Sequence, residues 1–181
     1  MSSRRSHYEL AFEKYLLERG TPFVAVEDAR HFVKGRLGTK AFDYIVYPRE
    51  GQACLVDVKG RKTVRRSTQS DCRQKNWVTR ADLHGLQAWE SVFGPGYTGM
   101  FVFGYWLAEG GGGRETGDAG PKPEVIQFAG RRYSFWTVSL AEYARHQRQL
   151  SKRWDTIAIP REVFRRLSRR LEVTWPAASC S

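Results

Sequence analysis

The sequence predicts an α/β fold: a central mixed sheet flanked by helices, with a small α/β annex toward the C-terminus. Three observations carry this. Apolar residues recur at helical spacing in residues 7–19 and again from Thr79 to about Phe93. Between and after these lie apolar runs of strand length, "AFDYIVYP", "QACLVDVKG" and "GYTGMFVFGYWL". The chain of 181 residues is 41% hydrophobic, with six Trp, eight Tyr and ten Phe, enough for a real core in one domain.

In order, "HYELAFEKYLLER" carries Tyr8, Phe12, Tyr15 and Leu16 on one side, with Ser6 as N-cap and Gly20 as the stop. "TPFVAVE" reads as a short strand, "EDARHFV" as a brief helix and "GRLGTK" as a turn. "AFDYIVYP" and "QACLVDVKG" follow as strands joined by the turn "PREG", and both are apolar enough to be covered on both faces. Residues 60–76 form a polar basic loop. Thr79 and Asp82 then make a capping-box pattern for a helix that turns Leu83, Leu86 and Trp89 to one side. "GYTGMFVFGYWL" is a hydrophobic strand, and the glycine-rich stretch 107–123 reads as a flexible loop. Beyond it, "EVIQFAGRRYSFWTV" reads as a hairpin turning at Ala129-Gly130. Ser139 and Glu142 cap a helix to about Gln149, "TIAIP" is a short strand, and Pro160 opens a last helix, "REVFRRLSRR". The division is thus a core over 1–106, the loop, and a basic annex over 124–181 packed on the core.

Thirty Lys and Arg against nineteen Asp and Glu give a net charge of +11, which favours a polyanionic partner, above all nucleic acid. The three cysteines, Cys54, Cys72 and Cys180, make no CxxC pair and no disulfide framework, and no signal core or membrane-length apolar run is present; a cytoplasmic protein is expected. The four histidines have no zinc spacing, and neither a phosphate loop nor a Gly-x-Ser-x-Gly elbow occurs.

The informative stretch is "CLVDVKG". Asp57 and Lys59 sit inside a buried strand and, two residues apart, project from one face. A D/E-x-K triplet arises about once by chance in a chain this size, so the context decides. The preceding strand carries Asp43, which pairing across the turn brings toward Asp57, and the first helix offers Glu9 at the border of its apolar stripe, with Glu13 one turn on as the alternative. Carboxylates gathered in a partly dry site repel one another unless a divalent cation sits between them. Three acids and a lysine therefore read as a metal-assisted hydrolysis site with Mg²⁺ or Mn²⁺ as cofactor. Asp43, Asp57 and the Val58 carbonyl are the expected ligands. Lys59 positions water or neutralises a phosphate. Glu9 holds a second ion, orients water or acts as base.

Glu9 on an N-terminal helix, Asp43 on a strand and Asp57-Val58-Lys59 on the next resemble the PD-(D/E)XK nuclease superfamily. "ELAFEKYLLERG" followed by "TPFVAVE" is similar to the opening of its Holliday-junction-resolvase-like branch. The resemblance covers residues 7–106; the proline expected before the first aspartate is Phe42 here. It implies a restriction-endonuclease-like αβββαβ core, a magnesium- or manganese-dependent deoxyribonuclease activity on DNA, branched or otherwise structured, and a homodimer, which junction resolvases generally need. Arg61, Lys62, Arg65, Arg66, Arg73 and Lys75 follow directly after Lys59, where a phosphate backbone would run. In the last helix Arg161, Arg165, Arg166, Arg169 and Arg170 stand opposite Val163, Phe164, Leu167 and Leu171, an arginine face for DNA or merely for solvent. Two rivals stay open: a non-catalytic nucleic-acid-binding protein with the same fold, and an assembly protein whose charge serves solubility.

Overall fold

The computed structural model describes residues 5–26, 40–48, 51–63, 75–107 and 124–170. The brief helix expected in "EDARHFV", the inner residues of the "PREG" turn and nearly all of the glycine-rich loop fall outside them. So do Arg65, Arg66 and Arg73.

Helix α1 spans His7–Glu18. Ser6 caps it by accepting the Glu9 N–H at 3.3 Å. It stops where Gly20 turns to φ 59°, with Gly20 N donating to Leu17 O and Thr21 N to Leu16 O, the doubly bonded exit that a glycine allows. The strands are β1 Phe23–Ala25, β2 Tyr44–Val46 and β3 Ala53–Lys62, then β4 Val78–Thr79 leading into helix α2 Arg80–Phe93, then β5 Tyr97–Leu107. The C-terminal part adds β6 Ile126–Phe128, β7 Arg131–Ser139, helix α3 Leu140–His146, β8 Arg148–Ser151, β9 Thr156–Ala158, helix α4 Arg161–Leu167 and β10 Arg169–Arg170. The β6–β7 hairpin turns on Ala129 (φ 47°) and Gly130 (φ 70°), the two left-handed residues of a tight hairpin turn that matches strand twist.

The central sheet runs β1-β2-β3-β5-β7-β10, with β6 pairing β7 as well. Only β3 and β5 pair in parallel; the other neighbours are antiparallel. A second sheet, β4-β9-β8, stands apart from it. The chain beyond residue 124 therefore adds strands to the central sheet as well as a small sheet of its own.

Alternation along β3 and β5 divides the core. Val56, Val58, Met100 and Val102 face α1, burying Phe12, Tyr15 and Leu16. Leu55, Phe101, Phe103 and Tyr105 face the other way, toward Leu83, Leu86 and Trp89 of α2, Leu140 and Tyr143 of α3 and Phe164 of α4. Each large side chain so buried contributes about 1.5–3 kcal/mol. Two glycines set the spacing on the α1 side. Gly60 and Gly104 are register partners, and a Cβ on Gly60 would run into the Tyr8 ring. Their bare backbone lets the start of α1 settle onto the sheet.

Two helix boundaries differ from the expectation. The third helix stops at His146, because Gln147 turns extended and residues 148–151 pair with β9. The last helix stops at Leu167, because Arg169 and Arg170 pair with Thr137 and Trp136 at the sheet edge. The predicted five-arginine helical face is thereby split: Arg161, Arg165 and Arg166 lie on α4, and Arg169 and Arg170 lie on a strand. In both places long-range strand pairing overrides a locally helical pattern.

Candidate active site

The antiparallel register Tyr44↔Val56 sets Asp43, the residue before β2, opposite Asp57. The Asp43 backbone belongs to the ladder on both sides: its N–H donates to Val56 O at 2.9 Å and its carbonyl accepts from Val26 N at 2.8 Å. Its side chain turns along β3, where Oδ2 accepts the Val58 N–H at 2.7 Å. Beyond this point β2 no longer flanks β3, and the two acids stand where the strands part.

Asp57 is 5% exposed. Its Oδ2 lies 2.8 Å from Lys59 Nζ, so the acid and the amine do share one face of β3. Lys59 Nζ also donates to Asp82 Oδ1 at 3.0 Å. Asp82 in turn binds Lys40 and, through Oδ2, accepts the Thr79 N–H and hydroxyl, each at 2.7 Å. One carboxylate thus starts α2 and holds the lysine of β3. Glu9 lies on α1, half-buried, and accepts from the Ser6 hydroxyl at 2.7 Å. Glu13 is engaged elsewhere: it accepts from Tyr44 Oη at 2.8 Å and pairs with Arg5 at 2.5 Å.

The electrostatics follow from this crowding. Burial, then the Asp57 charge and more weakly that of Glu9, push the Asp43 carboxyl up to about 8, against the opposing Val58 N–H. Burial also raises Asp57, although Lys59 beside it pulls the other way. Burial alone would lower Lys59, but Asp57 and Asp82 outweigh it and hold the ammonium above its ordinary range. Asp82 shows the reverse balance. Burial would raise it, yet Lys59, Lys40 and the Thr79 hydrogen bonds together leave it well below the usual carboxylate range.

Asp43, Asp57, Lys59 and, at longer reach, Glu9 are therefore in one another's field. The donor chemistry of the acids, hard oxygen atoms whose ionised forms repel in a dry site, fits a hard divalent cation. Among the described residues no three His, Cys, Asp or Glu side chains lie close enough to hold an ion together. A cation here would rest on Asp43 and Asp57, with the Val58 carbonyl as the third protein donor; Glu9 is not gathered with them and acts on Asp43 only through its charge.

Two members of this cluster are absent from the sequence-derived site: Asp82, foreseen only as a helix cap, and Lys40. The signal for Asp82 was the capping box itself, which places its carboxylate at the sheet-facing start of α2. Of the predicted phosphate contacts, Lys62 and Lys75 are exposed, with Lys62 Nζ 4.4 Å over the Trp106 ring and Lys75 Nζ donating to Lys62 O at 3.2 Å. Arg61 is half-buried. It donates to the Gly60 carbonyl at 2.7 Å and to the Trp77 carbonyl, and stacks 3.9 Å over the Trp77 ring.

No family model matches the chain, and no curated protein matches it. Among solved structures it is similar to a Holliday junction resolvase, Hjc, from the archaeon Archaeoglobus fulgidus, with a TM-score of 0.50 and 10% identity over 93% of this chain and 98% of that one. At that identity the likeness concerns the fold alone, a mixed α/β arrangement around a central mixed sheet.

Proposed function

We propose that the chain is a metal-dependent endonuclease that hydrolyses DNA phosphodiester bonds, with branched or otherwise structured DNA as the substrate class. One observation carries the reading: the half-buried Asp43, just before β2, stands opposite the buried Asp57 of β3, and a lysine on the same face as Asp57 is held charged beside them. A structural ion pair needs one acid per lysine. Asp57 and Asp82 already pair with Lys59, and a further carboxyl beside them, Asp43, pushed up to about 8, is a liability for stability and is expected where a site is used. The likeness to a junction resolvase supports a nuclease, and the basic residues following Lys59 support a DNA partner.

In this reading Asp43 and Asp57, with the Val58 carbonyl, hold Mg²⁺ or Mn²⁺. When bound, the ion supplies Lewis acidity at a phosphate oxygen and a lowered pKa for water. Lys59, kept protonated by Asp57 and Asp82, directs its ammonium at the negative charge that grows on the phosphate. Asp82 positions Lys59 and takes no part in the bond changes. Glu9, half-buried on α1, would accept a proton or orient the attacking water.

The test is cleavage of supercoiled plasmid, single-stranded DNA and four-way junctions with Mg²⁺, Mn²⁺ or EDTA. Cleavage is expected with metal and absent with chelator, and Asp57→Asn should lower the rate by about 10²-fold or more. Cleavage unchanged in that variant sinks the enzyme reading. A specific observation favours the non-catalytic rival: the Asp57–Lys59–Asp82 chain of ion pairs is already complete without a metal. DNA binding with no cleavage of any substrate would establish that rival.

A further inference from the structure

A groove of about 270 Å³ opens between the β4-β9-β8 sheet and the start of α4, bordered by Trp77, Arg148, Leu150, Ile159 and Pro160. It lies along the line that leaves the candidate active site: Asp57, Lys59 and Arg61 succeed one another on the same face of β3, and Arg61 reaches Trp77. Trp77 is 38% exposed and Leu150 is 60% exposed. Both border the groove, so its walls present apolar surface to solvent.

The wall that carries Trp77 is built rigidly. Its neighbour Asn76 is 2% exposed and clamps β9 with both side-chain atoms, Nδ2 donating to Ile159 O and Oδ1 accepting from Ile159 N, each at 3.0 Å. Tyr143 Oη donates to Asn76 O at 2.8 Å, and Arg61 binds the Trp77 carbonyl. An indole fixed by its backbone, braced by a guanidinium and still open to solvent is a stacking platform. The groove is smaller than the roughly 300–1,000 Å³ clefts that engulf whole ligands, which suits a single flat ring system. Its surroundings are cationic: Lys75 and Arg148 are exposed beside it, and Arg153 and Lys152 are exposed on the turn after β8.

We infer that this groove receives an unpaired base of the DNA strand, stacked on Trp77 with Leu150 and Pro160 as apolar walls and Arg148 on the adjoining phosphate. Charge complementarity and continuity with the β3 face choose a nucleic-acid strand over an apolar peptide or a second copy of the chain. The inference deepens the nuclease reading and rests on it for the identity of the partner. It also narrows the substrate to DNA that exposes an unpaired base near the cut, as flaps, gaps and single strands do and blunt duplex does not.

The experiment measures binding in EDTA, so that cleavage plays no part in its outcome. Wild-type protein is titrated against a fluorescent oligothymidine, the same oligonucleotide with abasic positions, and a blunt duplex. Base stacking is expected to make the abasic strand about 5- to 150-fold weaker than oligothymidine. Trp77→Ala should remove most of that difference while changing duplex affinity less than about twofold, and Trp77→Phe should keep it. Arg148→Glu, on the exposed rim, should weaken the normal and the abasic strand alike and leave their ratio within about twofold of the wild type, because a phosphate contact is common to both; loss of the ratio in this variant would also count against stacking on Trp77. Equal affinity of the wild type for abasic and normal strands overturns the inference, as does equal loss on strand and duplex in Trp77→Ala. Either result would leave the nuclease reading standing, and absence of cleavage would leave the stacking result standing.

Discussion

Asp43 carries a carboxyl that its surroundings disfavour in the ionised form. Its carboxyl is displaced from its ordinary value near 3.8 to about 8, chiefly by burial and by Asp57. A folded-state pKa above the unfolded one means the protonated form is favoured by folding. The stability this brings is complete below pH about 4 and is lost progressively as the pH rises through about 8. In chelator, Asp43→Asn should flatten that slope, leaving the part due to the raised Asp57, because the amide can still accept the Val58 N–H but cannot ionise. It should also be more stable than the wild type at pH 8, by about 1–3 kcal/mol. Thermal melts across that pH range check this at roughly 2–4 °C per kcal/mol, and an identical slope in the variant would remove Asp43 from the account. The direction matters for the proposed function: a residue that weakens the fold when ionised, in a position opposite another acid, is not explained by stability.

At the scale of elements, the start of α2 and the end of β3 share a carboxylate. Asp82 closes the capping box with Thr79 through one oxygen and holds Lys59 and Lys40 through the other. Two substitutions separate these duties. Thr79→Ala removes the cap and should cost about 1 kcal/mol in stability while leaving cleavage nearly unchanged. Asp82→Asn keeps an acceptor for the cap but removes a charge that raises Lys59. Its expected signature is a cleavage pH profile whose alkaline limb moves to lower pH, with a modest change in melting temperature. If both variants change activity and stability in proportion, Asp82 acts only through the helix. The glycine pair Gly60 and Gly104 does a comparable job on the opposite face, letting Tyr8 lie on the sheet and bringing Glu9 into the field of Asp43.

For the molecule as a whole, charge and architecture point the same way. With a net charge of +11, association with duplex DNA should weaken steeply with salt, by about 10³–10⁵ between 50 and 200 mM if 6–10 phosphates are contacted. Fluorescence anisotropy at several salt concentrations gives the slope. A flat response would mean that the charge serves solubility. The architecture also explains why the C-terminal part cannot be an independent appendage to the sheet. Strand β7 pairs with β5 along eight residues, from Met100↔Ser139 to Leu107↔Arg132, and covers an edge that would otherwise expose the backbone of the central strands.

Much of this was written locally in the chain. The Schellman-type stop at Gly20, the capping box at Thr79, the Ser139 cap (which accepts the Glu142 N–H without the reciprocal bond of a full box), the hairpin at Ala129-Gly130 and the shared face of Asp57 and Lys59 all follow from rules that act within a few residues: caps, left-handed turns and the period of two. Other features belong to the tertiary structure alone. Lys59 and Asp82 are 23 residues apart, Arg61 and Trp77 are 16 apart, and Arg169 reaches Thr137 across the sheet edge. Sequence spacing says nothing about such pairs, because they depend on which face of the sheet each helix lands on and at what height. That choice is made by how side chains such as Leu86, Leu140 and Phe164 fill the space above β5, a packing problem solved by the whole chain at once.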